Sequence, residues 1–210
     1  MKVDTLADLA AKILQDTAKV RWTAPEHAAN INAAIREVVD LRPDSYTKVR
    51  SMPLSPGTEQ SLASTGGLYL VSVLCNLGVN GAIPGYAPRP IDAATMDAHR
   101  PNWRGDAASG TVRHYITDPR TPKRFEVWPP QPDPAEYVRV LQSEYPAEIA
   151  LNAGADFPLS DQFINATVQI SLYFGWQKAV GGDLGRSAFH RKEGMQMLGL
   201  SGQSQQKTQG

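Results

Sequence analysis

The fold class is decided by the stretch VRHYITDPRTPKRFEVW, residues 112–128. Its two ends, residues 112–117 and 123–128, are short runs of β-branched and aromatic residues, which favour strands. Between them lie Asp118, Pro119 and Pro122, which favour a turn because aspartate bonds to nearby backbone and proline fixes its own φ angle. The stretch therefore predicts a β-hairpin near the middle of the chain.

The segment after the hairpin predicts one more strand. Side chains alternate between two faces over residues 137–143, with Val138, Val140 and Gln142 on one face and with Tyr137, Arg139 and Leu141 on the other. We expect this strand to pair with the hairpin in a small antiparallel sheet. Proline cannot donate a hydrogen bond within a central strand, so a connection is predicted for the residues Pro129, Pro130, Pro132 and Pro134.

The segment before the hairpin predicts short elements separated by glycines and prolines. A pattern of period two predicts a strand at Tyr46–Met52, and Thr58–Leu62 predicts a second short strand. After Gly66-Gly67, residues Leu68–Cys75 predict a buried strand. Residues Val79–Pro90 contain several glycines and prolines and predict a surface loop. The next residues, Ile91–His99, predict a short helix with Asp92 near its start.

Two helical patterns precede this β-rich middle. The first, residues 4–19, has Asp4 or Thr5 available as a cap and presents one apolar face, formed by Leu6, Leu9, Ala10, Ile13 and Thr17. The second begins with Thr23-Ala24-Pro25-Glu26, in which Thr23 and Glu26 can cap each other and Pro25 lacks an amide that would be left unpaired. Its apolar residues recur at helical spacing until Pro43 forces the chain out of the helix. A short antiparallel helix pair is the simplest arrangement of these two segments.

Two further helices are predicted near the end of the chain. From Ser160 onward the residues are apolar on more than one side, which predicts a helix that has neighbours on nearly every side. Gly181 and Gly182 interrupt this pattern, and Leu184–Leu198 predict a last helix. The final residues, 201–210, are rich in glutamine, serine and glycine and have the composition of a disordered tail.

The order of these elements predicts an α+β protein. We expect residues 1–43 and 160–200 to form an antiparallel helical bundle, residues 44–159 to form an inserted small antiparallel β domain, and residues 201–210 to form a polar C-terminal tail.

Composition excludes several classes of protein. The chain has 210 residues, with 21 basic and 21 acidic side chains, so it lacks the overall positive charge of a dedicated nucleic-acid binder. Cys75 is the only cysteine, which excludes an internal disulfide and every multi-cysteine zinc site. Residues 1–20 do not resemble a signal peptide, and the longest apolar run, Leu68–Leu77, is too short to span a bilayer. We therefore expect no membrane association.

No pattern of catalytic or metal-binding residues stands out in the sequence. None of the four histidines, His27, His99, His114 and His190, lies four residues from another, so a helical metal pair is not expected. We predict no catalytic residue, no metal and no cofactor. The residues Asp106, Ser109 and His114 form a conceivable hydrolytic set, but no Gly-x-Ser-x-Gly turn supports it.

Three other groups of residues have ordinary structural interpretations. Arg100, Arg104 and Arg113 are either a basic patch or part of a solvated loop. The glycine-rich residues 181–185 lack the Lys-Ser/Thr ending of a phosphate-binding loop and favour a helix break. Large aromatic side chains contribute mainly through buried area, so core or interface positions are expected for Trp22, Trp103, Trp128 and Trp176.

The order of several short motifs resembles a family of tailed-phage neck proteins. The motifs are Ile31-Asn32-Ala33-Ala34-Ile35-Arg36-Glu37, Leu41-Arg42-Pro43-Asp44, Gly57-Thr58-Glu59-Gln60, Ile91-Asp92, Pro101-Asn102-Trp103, residues 114–120, residues 125–130 and Leu159-Ser160-Asp161. Together they extend over nearly the whole chain. The chain is thereby similar to the head-to-tail adaptors of short-tailed phages, also called tail tubular or head-completion proteins.

The resemblance implies a structural protein that is not an enzyme. It implies a homo-oligomeric ring, dodecameric in form, that is assembled in the host cytoplasm and lies in the virion neck. Its implied partners are further copies of the chain, the portal protein above, the tail nozzle or next tail protein below, and genomic DNA that passes through the lumen without sequence-specific contacts.

The resemblance also implies two sets of contact residues. The portal-binding candidates are Ser201, Gln203, Gln205, Gln206 and Lys207. The candidates for the lateral and tail interfaces are Pro84, Tyr86, Pro88, Arg120, Trp128 and Pro130. The alternatives are another tail-completion or minor capsid protein, or a virion-associated hydrolase that uses Asp106 and His114.

Overall fold

A computed structural model of the protein describes residues 1–151, 154–178 and 182–200. These residues form an α+β fold, as the sequence predicts, with five α-helices and two β-sheets. The helices are α1 (Val3–Ile13), α2 (Ala24–Leu41), α3 (Ala93–His99), α4 (Ile164–Trp176) and α5 (Leu184–Met197). The strands are β1 (Thr47–Pro53), β2 (Gly57–Ser61), β3 (Tyr69–Gly78), β4 (Arg89–Pro90), β5 (His114–Thr117), β6 (Arg124–Gln131) and β7 (Tyr137–Ser143).

The chain divides into two units. The helical unit consists of Met1–Tyr46 and the described residues from Tyr145 onward, and the β unit consists of Thr47–Glu144. The β unit contains both sheets and the short helix α3.

The helix α2 begins as predicted. The carboxylate of Glu26 accepts hydrogen bonds from the backbone N–H of Thr23 at 2.8 Å and from its hydroxyl at 2.9 Å. Pro25 lies in the first turn, and the helix ends at Leu41, just before Pro43. The residues Ile31, Ala34, Ile35 and Val38 are buried, so the apolar face is also confirmed.

The helix α1 differs from its prediction at both ends and in its buried face. It ends at Ile13, and Gln15, two residues later, has a left-handed φ angle of 56° that no α-helix contains. The residue before it, Lys2, makes no side-chain cap, so neither Asp4 nor Thr5 is the N-cap. Leu9 and Ile13 are exposed, while the buried residues are Val3, Leu6, Ala7, Ala10, Ala11 and Leu14.

A carboxylate explains why the chain leaves the helix after Leu14. Asp16 accepts hydrogen bonds from the backbone N–H groups of Val20, Arg21 and Trp22 at 2.8–3.0 Å. These bonds lower the pKa of Asp16, the bond from Trp22 most strongly. They close a loop where the sequence pattern predicts a continued helix.

The helix α4 is the centre of the helical unit. It packs against both α2 and α5, and it is the main partner of α2, where the sequence predicts α1 in that role. Its buried residues lie on several sides of the helix, as predicted. The indole N–H of Trp22 donates to the carbonyl oxygen of Gly175 at 2.8 Å, and the Trp22 ring meets the Trp176 ring edge to face at a centroid distance of 5.3 Å.

The predicted hairpin is present in the β unit. The strands β5 and β6 are antiparallel, with His114 opposite Trp128 and Thr117 opposite Phe125. The hairpin belongs to a four-stranded sheet in the order β2-β6-β5-β4.

The predicted partner of β7 is wrong, although its bounds are confirmed. The strand pairs with β1 and β3 in a separate three-stranded sheet, in the order β1-β7-β3. Val138, Val140 and Gln142 lie on its buried face, as the alternation predicts. An alternating pattern identifies a strand and its inner face, but it does not specify the partner.

The prolines before β7 also differ from the prediction. Pro129 and Pro130 lie inside β6, a central strand, and not in a connection. The register between β2 and β6 shifts from Glu59–Glu126 to Gly57–Gln131, so the prolines lie where the ladder to β2 is irregular. The opposite ladder, to β5, reaches only Trp128. Neither neighbour therefore needs an amide donor at Pro129 or Pro130.

The strand β3 is buried on one side only, where the sequence predicts a buried strand. Leu70, Val73 and Leu77 face the core, whereas Val71 and Leu74 are exposed. The ladder that pairs β3 with β7 contains three register shifts. The core between the sheets is formed by Met52, Leu54, Leu62, Leu70, Val73, Val112, Tyr115, Phe125, Val127, Val138 and Val140.

Candidate assembly surfaces

The predicted surface loop after β3 is the most exposed apolar segment of the β unit. Val79 and Ile83 are 61% and 74% exposed, and Tyr86 is half exposed. Apolar side chains clustered on a surface loop are typical of a protein contact site.

The side chain of Asn76 holds this loop in place. Its amide nitrogen donates to the carbonyl oxygens of Tyr86 at 2.7 Å and of Val112 at 2.9 Å. Its amide oxygen accepts from the N–H of Val112 at 2.8 Å. Asn76 is 5% exposed, and its backbone also bonds to Tyr86 and Gly85. The loop is therefore fixed before any partner binds, which lowers the entropy cost of binding.

The three loop candidates for an interface differ in their exposure to solvent. Pro84 and Tyr86 are exposed, whereas Pro88 is buried just before β4. A buried proline ring offers no surface to a partner. The loop candidates are thereby reduced to Pro84 and Tyr86.

The ring of the candidate Trp128 lies against two arginine side chains. The guanidinium groups of Arg100 and Arg113 lie 5.3 Å and 5.8 Å from the centre of its ring, which permits cation–π attraction. Its indole N–H donates to Asp106 at 2.7 Å, and the ring is half buried. The neighbouring candidate Pro130 is buried, and its carbonyl oxygen accepts from the N–H of Ser109.

The candidate Arg120 lies at the other end of the hairpin. It occupies the turn between β5 and β6, and its side chain is 89% exposed. The guanidinium bonds to Asp118 at 2.7 Å, and this bond is the main reason why the pKa of Asp118 is lowered. Arg120 and Trp128 are therefore separated by the length of the hairpin and do not form one site.

The residues Asp106, Ser109 and His114 do not form a hydrolytic triad. The carboxylate of Asp106 binds Arg100 and the indole N–H of Trp128, and these bonds lower its pKa. The Nδ1 atom of His114 has no hydrogen-bond partner, although a triad requires a bond between this atom and the aspartate. The local geometry gives no support for the hydrolase alternative.

The three arginines considered as a basic patch each contact a carboxylate or an aromatic ring. Arg100 pairs with Asp106, and Arg104 pairs with both Glu126 and Asp97. Arg104 also stacks on Trp103, with 4.1 Å between the guanidinium carbon and the ring centre. Arg113 stacks on Trp128. The carboxylates of Asp106, Asp97 and Glu126 offset the charges of Arg100 and Arg104, which reduces the positive field that would attract a phosphate backbone.

A polar cleft of about 660 Å³ lies on the outer side of the four-stranded sheet. Its lining includes Arg104, Glu126, Glu59 and Arg124. Arg104 and Glu126 bond to each other at 2.7 Å, so these two lining side chains are already paired within the chain.

The remaining sequence predictions concern features outside these surfaces. The portal-binding candidates Ser201, Gln203, Gln205, Gln206 and Lys207 lie outside the described residues. Among residues 1–151, 154–178 and 182–200, no group of three or more His, Cys, Asp or Glu side chains could hold a metal ion. Across the same residues, no helix has the length and apolarity required to cross a membrane.

Sequence reasoning missed Asn76 as the anchor of the exposed loop. The available signal was a polar side chain inside the apolar run Leu68–Leu77, which requires hydrogen-bond partners if the strand is buried. The identity of those partners, 10 and 36 residues further along the chain, was not encoded locally.

Comparisons with known proteins give one match over the whole chain. The family model described as SU10 adaptor protein matches residues 1–210. A comparison with curated proteins finds no match.

Proposed function

Because the chain belongs to the SU10 adaptor protein family, a family of phage head-to-tail adaptors, we propose that it forms a connector ring under the portal and attaches the tail. As a member of this family, the chain is a structural component of the bacteriophage virion that interacts with other virion proteins. A structural adaptor is not normally an enzyme. The ring, the portal contact and the position in the neck are the parts that we propose.

The observation that carries the proposal is the extent of the family match. It covers residues 1–210, and therefore includes both the helical unit and the β unit. An isolated match to one unit would indicate only a shared module, whereas a match over both favours a shared architecture. We propose that the helices at the two ends form an antiparallel bundle with the β domain inserted between them.

A ring requires two different lateral faces on each copy. Cyclic head-to-tail contacts are heterologous, so one patch of each copy binds a different patch of the next. We propose a dodecameric ring, because the portal-associated adaptors that the chain resembles imply this symmetry.

Two further groups of residues are proposed to contact other virion proteins. Residues 201–210 contact the portal, through Ser201, Gln203, Gln205, Gln206 and Lys207. The loop residues Pro84 and Tyr86, together with Arg120 and Trp128, contact the neighbouring copy or the next tail protein. Three of these residues, Pro84, Tyr86 and Arg120, are well exposed, which supports their inclusion.

The charge distribution supports passage of DNA through the ring without tight binding. The chain has 21 basic and 21 acidic side chains, and Arg50, Arg104 and Arg120 of the β unit each pair with a carboxylate. Each additional phosphate contact would strengthen binding and slow the movement of DNA. No cofactor is required for this role.

Imaging with the portal protein tests the proposed function. The purified chain, alone and mixed with the portal of the same phage, is examined by negative-stain electron microscopy. We expect rings seated on the portal, and weaker seating for a variant that lacks residues 201–210. A chain that stays a single copy in both samples would contradict the proposed function.

A further inference from the structure

The two edges of the three-stranded sheet differ in how their backbone is satisfied. The strand order is β1-β7-β3, so β1 and β3 are the edges. On the β3 edge, the N–H of Asn76 donates to the carbonyl oxygen of Tyr86 at 2.9 Å, and the N–H of Leu70 donates to that of Pro122 at 3.4 Å. The β3 edge is therefore covered by two other segments of the β unit.

The register of β1 against β7 shows which backbone groups of β1 point away from the sheet. In an antiparallel ladder, residues that bond to the neighbouring strand alternate with residues whose N–H and C=O groups point the other way. The N–H of Leu54 donates to the carbonyl oxygen of Glu136 at 2.9 Å, in the same register as the ladder between β1 and β7. Counted back from Leu54 in steps of two, the residues that bond to β7 are Met52, Arg50 and Lys48. The residues that point away from β7 are Ser51, Val49 and Thr47.

These three outward residues define an open edge. In the part of the chain that the structure describes, no hydrogen bond reaches the backbone of Thr47, Val49 or Ser51. Val49 is 52% exposed, and Ser51 is exposed as well. The open edge thus presents three N–H and three C=O groups to solvent. Such a row is a template for one more strand.

A second copy of β1 does not fit this edge well. Two copies pair antiparallel in three registers in which at least two open residues of each copy pair with each other. These registers place Lys48 opposite Arg50, Lys48 opposite Lys48, or Arg50 opposite Arg50. Like charges directly opposite each other destabilise a sheet. The bond between Arg50 and Glu144 weakens this repulsion without removing it, because the one carboxylate is shared by the two cations.

The side chains of β1 restrict the kind of strand that can be added. On the outer face, Val49 lies opposite the half-exposed Leu141 of β7, so an apolar residue beside Val49 would continue this row. On the other face, neutral or acidic residues fit beside Lys48 and Arg50, whereas cations are repelled. Proline is excluded where the added strand donates to β1.

We infer that the open edge binds an extended segment of a different virion protein by strand addition. The segment has about five residues opposite residues 47–51, with an apolar residue at its centre and no cation on either side of it. This inference rests on the proposed function and identifies the way in which the chain grips a portal or tail partner.

Hydrogen exchange at single-residue resolution tests the strand addition. The chain is measured alone, with the portal protein of the same phage, and with the next tail protein of that phage. The amides of Thr47, Val49 and Ser51 should exchange fast in the chain alone and at least about tenfold more slowly in one of the two complexes. The amides of Lys48 and Arg50, which bond to β7, should exchange slowly in all three samples.

A matched pair of variants separates backbone pairing from contact between side chains. Val49→Pro removes one outward N–H and no bond to β7, whereas Val49→Ala shortens the side chain and keeps the N–H. We expect Val49→Pro to weaken binding of the protein that slows exchange at least about tenfold, and Val49→Ala less than about threefold. Thermal unfolding checks that both variants fold, and the exchange measurement on the wild type depends on neither of them.

The outcomes distinguish the inference from the proposed function. A complex with either protein in which the three outward amides still exchange fast would overturn the inference and leave the proposed function intact. Slow exchange that appears in the chain alone as its concentration rises would also overturn it, because a second copy would then occupy the edge. Equal weakening by Val49→Pro and Val49→Ala would do the same. A wild-type chain that binds neither protein would contradict both.

Discussion

Replacement of Asn76 by alanine should destabilise the β unit and release the exposed loop. The side chain makes three hydrogen bonds of 2.7–2.9 Å, one to Tyr86 and two to Val112. Each neutral bond contributes about 1 kcal/mol net, and a buried group left without a partner costs about 1–3 kcal/mol. Because Asn76 is 5% exposed, water does not replace these bonds easily. We expect a loss of about 2–4 kcal/mol in the free energy of unfolding.

Hydrogen exchange measured by mass spectrometry, combined with urea unfolding, checks this prediction. Peptides that cover residues 76–90 and 110–116 should exchange faster in Asn76→Ala than in the wild type, while peptides from α2 should not change. The matched control is Asn165→Ala, which removes an exposed asparagine from α4 and should change stability by less than about 0.5 kcal/mol.

An aspartate at the same position gives a sharper test through its pH dependence. In Asn76→Asp the carboxylate would face the carbonyl oxygens of Tyr86 and Val112, so burial and repulsion should raise its pKa above the unfolded value of about 3.9. The folded state then favours the protonated form, so the added instability is present at pH 7 and disappears as the pH falls below the unfolded pKa. A cost below about 0.5 kcal/mol for Asn76→Ala, with unchanged exchange in the loop, would refute the reasoning.

Three further predictions concern the helical unit. The Lys178 ammonium and the bonds from Thr23 lower the pKa of Glu26 to about 2. The contribution of the ionised Glu26 to stability is therefore present above pH 4.5 and is lost as the pH falls toward 2. Urea unfolding over this range should show a smaller loss of stability in acid for Glu26→Gln than for the wild type. Burial, together with the charge of Lys19, lowers the pKa of His27, so the free energy of unfolding should decrease as the pH falls below about 6.5. In urea unfolding between about pH 8 and pH 5.5, His27→Gln should show a smaller dependence of this free energy on pH. Gly194→Ala places a Cβ atom 2.7 Å from the buried Ile170 and should cost about 1–2 kcal/mol in thermal unfolding, despite the better helix propensity of alanine.

The local chemistry of the sequence was sufficient to predict several elements and their ends. The capping box of Thr23 and Glu26, the Asp92 cap of α3 and the turn at Asp118 each depend on residues within five positions of one another. For the same reason the hairpin, the bounds of β7 and the inner face that carries Val138 followed from the printed residues.

Contacts between distant residues were decided only by the tertiary structure. The partners of β7, the exposed side of β3 and the early end of α1 each depend on which segment packs against them, and a period of two or of 3.6 residues does not contain that information. The clamp of Asn76 on Val112 has the same origin. Local propensity determined which residues form helices and strands, and the burial of their apolar faces against distant segments decided which surfaces remain free for assembly.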